Sequence, residues 1–140
     1  DYKFLILMFQ KEVADRIVAK DKNSNYGRLA IIASWRLKVK SSFNISKNCF
    51  YPKPKVDSSL LIFEPRISKK YKINDLKNLE TLTQIFFSNK RKMINKPLKK
   101  IFKDIDLIKN KLNLNLSDRP EDLAKEKYYQ MTEYYEKNKI

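Results

Sequence analysis

The chain has 140 residues, 42% hydrophobic and 34% charged, with 31 Lys+Arg against 16 Asp+Glu and a net charge of +15. It holds no His, one Cys and one Gly, which excludes His-dependent catalysis, imidazole or thiolate metal centres, an intrachain disulfide and any glycine-rich phosphate loop. The charge points to a polyanionic partner such as RNA, although abundant Lys, Asn and Ile also fit a coding bias that inflates basicity.

Phe4–Phe9 is a continuous apolar run, as in a strand buried on both faces of a parallel sheet. It is far shorter than the roughly 20 residues of a membrane span. It also lacks the flanks of a signal peptide, so no membrane partner is expected. The lone Cys suits a reducing compartment, and the chain reads as the C-terminal part of a longer protein. Val13, Ile17 and Val18 predict a helix over 12–20, with Glu12 and Lys20 complementing its dipole. A polar loop, 21–25, precedes a second helix at Leu29–Trp35.

Leu37, Val39, Ser41 and Phe43 alternate with polar residues, which predicts a half-exposed strand. Residues 44–57 form a loop with two prolines, and Leu60–Phe63 is a further strand, making an antiparallel pair at a sheet edge. The basic stretch 67–74 reads as a linker. Leu79, Leu82, Ile85, Phe86 and Met93 mark the buried stripe of one helix. Pro97 fits the first turn of the next. Ile101, Ile105, Ile108 and Leu112 predict one or two short helices, and a last helix runs over 123–137 with Asp122 as candidate N-cap. In each of the pairs Tyr128–Tyr129 and Tyr134–Tyr135, one ring is expected in the core and the other exposed.

Two stretches carry chemistry. Phe50-Tyr51-Pro52-Lys53-Pro54-Lys55-Val56-Asp57-Ser58 sets an aromatic pair on a proline-stiffened loop. It reads either as a connector whose aromatics pack on the sheet or as a stacking surface for a base, with Lys53 and Lys55 placed for phosphates. Lys90-Arg91-Lys92, followed by Lys96, Lys99, Lys100 and Lys103, has no acid before Asp104. It reads as a phosphate-tracking surface or as a solvated face.

These blocks, together with Met8–Ile17, Tyr26–Leu29 and Arg119–Leu123, occur in one order and spacing. The chain closely resembles the C-terminal half of the KsgA-type ribosomal RNA small-subunit adenine dimethyltransferases. The resemblance implies an α/β plus α fold. Residues 1–67 would be the C-terminal portion of a class I Rossmann-like methyltransferase domain, 68–74 a linker, and 75–140 a small all-helical rRNA-binding domain.

It further implies S-adenosyl-L-methionine-dependent dimethylation of N6 on two adjacent adenosines near the 3′ end of small-subunit rRNA, in the immature small subunit. The protein would act as a monomer in the bacterial cytoplasm or in an organelle. Phe50 matches the residue that packs on the target adenine, with Tyr51 as a weaker match. Asp57 and Ser58 match residues that fix the loop, while Gln10 and Glu12 either support the pocket or make ordinary polar contacts. Arg28 matches a basic position beside the pocket, to meet rRNA or to form a salt bridge.

The family's glycine-rich loop, acidic ribose ligand and N-L-P-Y tetrapeptide match nothing in this chain, so cofactor contacts are expected upstream of residue 1 and the chain alone is expected to be inactive. A macrolide-resistance-type large-subunit rRNA adenine methyltransferase and a non-enzymatic RNA-binding assembly factor are the alternative readings.

Overall fold

The computed structural model describes residues 2–66 and 70–138. The chain runs β1 (Leu5–Gln10), α1 (Lys11–Val18), α2 (Arg28–Arg36), β2 (Leu37–Ile45), β3 (Ser58–Pro65), α3 (Leu76–Phe87), α4 (Asn95–Ile101), α5 (Ile105–Leu112) and α6 (Lys125–Lys137). Short 3-10 turns occupy Lys47–Cys49 and Pro120–Asp122. The sheet order is β1-β3-β2, with β3 antiparallel to both neighbours. The expected antiparallel pair is β2–β3, which lies at one edge of this sheet with β2 outermost and β3 central.

Alternation along β3 turns Ser59, Leu61 and Phe63 inward, where Ala14 and Ile17 of α1 cover them. Phe9 meets Phe63 edge to face, with centroids 6.4 Å apart. On β2 the pairing shifts between Val39↔Phe63 and Ser41↔Ile62, so Lys40 is an extra residue. A one-residue bulge exchanges the two faces of a strand. Phe43, expected on the covered face with Leu37 and Val39, is therefore exposed opposite Leu60. β1 departs from expectation as well. Ile6 and Met8 are exposed, because no element among the described residues covers their face.

The larger core is helical. Leu79, Leu82 and Phe86 of α3 join Ile94, Leu98, Ile108, Tyr128 and Met131. Tyr26, with Ala30 and Ile31 of α2, belongs to this same core, so α2 packs with the helical half as well as leading into the sheet. The expected buried stripe ends earlier than its spacing predicts: Met93 lies beyond α3 and is exposed, and Ile94 takes the inward position.

Pro97 falls in the first turn of α4, where a missing N–H costs nothing. Asp75 caps α3 by accepting from Lys77 N at 3.0 Å, and Asp104 caps α5 by accepting from Leu107 N at 3.0 Å. Asp122 does not cap α6, whose N-cap is Ala124; its Oδ2 instead accepts from Arg119 N at 2.9 Å. Lys20 lies past the end of α1, and the basic residue of that last turn is Arg16. Tyr128 and Tyr129 are both buried and Tyr134 and Tyr135 both half-buried. α6 packs against α2, α3 and α5, and so buries more than one stripe.

Of the expected linker, residues 67–69 lie outside the described residues. Its remainder is held to α6: Lys72 N donates to Glu133 Oε2 at 2.7 Å and Asn74 N to Glu136 Oε1 at 2.7 Å.

Candidate nucleic-acid interface and acceptor loop

The register decides where the Phe50 loop emerges. Gln10, at the carboxyl end of β1, pairs with Ser58, and so does Ile45 at the carboxyl end of β2. Residues 46–57 therefore leave and re-enter the sheet at the carboxyl end of β1. In doubly wound sheets the ligand crevice lies at that end.

The loop is tied down by its own backbone and by Asp57. Ser46 accepts from Asn48 N at 3.1 Å and opens the turn Lys47–Cys49. Asp57 Oδ1 accepts from Lys47 N at 2.9 Å, while the Asp57 carbonyl accepts from Lys11 N at 3.0 Å. Asp57 thus joins both ends of the loop to the start of α1, the structural role expected of it.

Between these anchors Phe50 is half-buried and Tyr51 wholly exposed. Lys53 and Lys55 are exposed beside them. Neither aromatic ring belongs to either core cluster among the described residues. A cleft of about 410 Å³ adjoins the loop base, lined by Gln10, Lys11, Glu12, Asp15, Lys47, Val56 and Asp57. Gln10 and Glu12 thus reach the rim of this crevice. Glu12 is engaged there by Arg16 Nη2 at 2.8 Å.

The basic stretch divides. Lys90, Arg91 and Lys92 lie on the turn between α3 and α4, and Lys96 and Lys99 on α4 itself; all five are exposed. Arg91, Lys92, Lys96 and Lys99 line one concavity of about 610 Å³. Lys90 is not among its lining residues, and Lys100 faces a separate cleft with Asn78 and Tyr135. No ion pair engages Lys90, Arg91, Lys92, Lys96 or Lys99 among the described residues. Their charge is thus available to a ligand.

Sequence reasoning did not give Arg119 a role, yet it lines the same concavity. Ile94 N donates to Asp118 O at 2.8 Å, which draws residues 118–119 against the start of α4. That contact spans 24 positions, and no local pattern encodes it.

Arg28 is committed elsewhere. Its Nη2 donates to the Glu80 carbonyl at 3.1 Å and its Nε to Thr83 Oγ1 at 3.4 Å, joining α2 to α3.

No group of His, Cys, Asp and Glu among the described residues could hold a metal. No helix among them is long and apolar enough to cross a membrane. With a single glycine in the sequence, this chain offers no glycine-rich turn to cradle S-adenosyl-L-methionine. The one glycine, Gly27, precedes α2 with extended backbone, and a Cβ there would meet only the edge of the Phe87 ring at 3.9 Å. It cradles nothing.

Comparison with known proteins agrees with this geometry. A family model described as ribosomal RNA adenine dimethylase matches residues 2–137. The ribosomal RNA small subunit methyltransferase A of Pelagibacter ubique (strain HTCC1062) is 47% identical over 132 residues, covering 94% of this chain and 50% of that protein. The protein of the same name from Lactobacillus johnsonii is 36% identical over 134 residues, covering 94% and 45%. The chain spans about half the length of the curated relatives it matches.

Among solved structures, a dimethyladenosine transferase from Plasmodium falciparum superposes with a TM-score of 0.74 at 24% identity, over 99% of this chain and 59% of that one. The 23S rRNA methyltransferase ErmE superposes at 0.61 and 16% identity, over 96% and 55%. Both show the Rossmann-like methyltransferase fold, of which this three-stranded sheet and its helices are a part. With residues 2–137 matched and its loop at the crevice end of the sheet, the chain belongs to the ribosomal RNA adenine dimethylase family.

Proposed function

We propose that the chain supplies the acceptor side and the rRNA-docking domain of a small-subunit rRNA adenine dimethyltransferase. The full-length protein, with S-adenosyl-L-methionine as methyl donor, adds two methyl groups to N6 of each of two adjacent adenosines near the 3′ end of that rRNA. It acts on the immature small subunit, as a monomer, in the cytoplasm. Residues 1–67 belong to its methyltransferase domain, 68–74 connect, and 75–140 bind rRNA.

One observation carries this reading: in a chain matched by the family model over residues 2–137, the Phe50–Tyr51 pair stands outside both cores at the carboxyl end of β1. A base that receives a methyl group must leave its stack. Phe50, half-buried and therefore held, offers a face for the extruded adenine, and stacking is worth roughly 1–3 kcal/mol per base. Tyr51 extends that surface, and Lys53 and Lys55 meet the flanking phosphates. Asp57 fixes the platform, so less of the binding energy goes into ordering the loop.

Arg91, Lys92, Lys96 and Lys99 neutralise a run of rRNA phosphates in the concavity formed by residues 91–93, α4 and Arg119. Arg119 joins them. Arg28 acts in the first place by fixing α2 on α3. No observation favours methylation of large-subunit rRNA or a purely non-enzymatic role.

The test is to incubate the full-length protein and its donor with unmethylated small subunits and to map methylated adenosines by mass spectrometry. Two adjacent N6-dimethyladenosines near the rRNA 3′ end are expected. Modification of large-subunit rRNA alone, or none, would overturn the assignment.

A further inference from the structure

At the sheet end opposite the Phe50 loop, a cleft of about 470 Å³ opens between α1, α2, the start of β2 and the N-terminus of α6. Its inner wall is apolar and includes Ile17, Ala30 and Leu37. Its charged lining is Lys20, Lys38, Arg66 and Lys125, with Asp21 and Glu126. Lys38 is paired with Glu64 at 3.8 Å, but Lys20, Arg66 and Lys125 form no ion pair among the described residues.

Two donors here lack partners. Tyr26 lines the cleft and is only 3% exposed, yet its hydroxyl makes no hydrogen bond; Arg66 Nε is buried and unpaired as well. Buried donors in folded proteins are almost always satisfied, so each of these calls for an acceptor that the chain does not supply. Water could serve the phenol alone, but it does not balance the cations. Burial holds Lys125 below the usual lysine range; Arg66 and Lys20 add to the effect, while Glu126 and Asp21 oppose it. Lys125 also opens α6, whose N-cap Ala124 gives no side-chain cap, so the uncapped positive end of that helix borders the cleft.

We propose that this cleft is a binding site for a phosphate-class oxyanion, held by Arg66, Lys125 and the Tyr26 hydroxyl with Lys20 at the rim. Such a ligand supplies the acceptor the two orphaned donors lack and offsets the positive charge that Asp21 and Glu126 leave on this lining. Arg66 suits it through its planar fork. The phosphate belongs either to an RNA phosphodiester or to a free anion, and the site stands whether or not the methyltransferase reading holds.

The test titrates inorganic phosphate into the full-length protein at constant ionic strength, following the Arg66 Nε and Lys125 Nζ resonances by NMR. Saturable shifts are expected with phosphate and not with chloride. Arg66→Gln and Lys125→Gln should each weaken binding roughly tenfold. Tyr26→Phe keeps the ring in the core and should weaken it several-fold, which guards against loss of fold. Lys109→Gln, exposed on α5, should leave it unchanged.

Displacement of phosphate by a single-stranded oligoribonucleotide assigns the site to RNA, and persistence of phosphate binding assigns it to a free anion. A response no different from chloride, one that none of the three cleft variants moves, or one abolished by Lys109→Gln would overturn the proposal.

Discussion

Tyr129 on α6 donates its phenolic hydroxyl to the carbonyl of Ile31 on α2 across 2.5 Å, joining residues 98 positions apart. Trp35 of α2 lies against the same ring, with centroids 4.8 Å apart. The helical half is therefore locked to the helix that feeds β2, and the basic concavity is held in a fixed relation to the sheet. Tyr129→Phe keeps the ring and removes the bond, so urea unfolding should show a loss of about 1–2 kcal/mol. An unchanged midpoint would mean that the bond adds nothing to the docking of these helices.

Glu136 ties the connector to α6. Its carboxylate accepts from Asn74 N at 2.7 Å, Asp75 N at 2.9 Å and Asn78 Nδ2 at 2.7 Å. Backbone amides bonded to a carboxylate are charge-assisted, so Glu136→Ala should cost about 1–3 kcal/mol. Amide exchange should quicken first at 74–78, and uniform exchange across the helical core would contradict a local tether.

Alkali should unfold the protein cooperatively. Burial raises the phenol pKa of Tyr26, Tyr128 and Tyr129 above the ordinary value near 10. The unfolded chain then loses protons that the folded chain keeps, so stability is intact below about pH 10 and falls above it, by about 1.4 kcal/mol per pH unit for each withheld phenol. Lys125 opposes this weakly, because its lowered pKa makes stability rise as pH passes through its folded value. Tyrosinate absorbance and circular dichroism should change together; phenols titrating in the native fold would contradict it.

Much of this architecture is legible in the chain. The apolar run Leu60–Phe63 finds β3, the 3.6-residue period finds α3, and Pro97 marks the start of α4. Three features are not, each for a non-local reason. The Lys40 bulge flips Phe43, and it depends on pairing with β3 rather than on the strand's own pattern. α6 packs against three helices, so adjacent tyrosines are buried together. Arg119 lines the basic concavity beside the long-range Ile94–Asp118 contact. The Phe50 loop stands out in sequence because prolines and aromatics are concentrated there, while its place at the crevice end follows from register.

Neutralising the basic concavity should weaken rRNA binding and flatten its salt dependence. Each phosphate contact contributes about 0.7 to the slope of log affinity against log salt for single strands. Replacing Arg91, Lys92 and Lys96 together by Gln should therefore reduce the slope by about 2, and Arg119→Gln alone by about 0.7. Filter binding at graded KCl measures it, and an unchanged slope would make these residues ordinary surface charges.

The platform role of Phe50 is tested most directly by Phe50→Ala in the full-length enzyme, with single-turnover methylation and rRNA affinity measured side by side. Losing the stacking face should slow methylation by roughly 10- to 100-fold while rRNA affinity stays within about twofold. Equal losses in rate and affinity, or an unchanged rate, would contradict it.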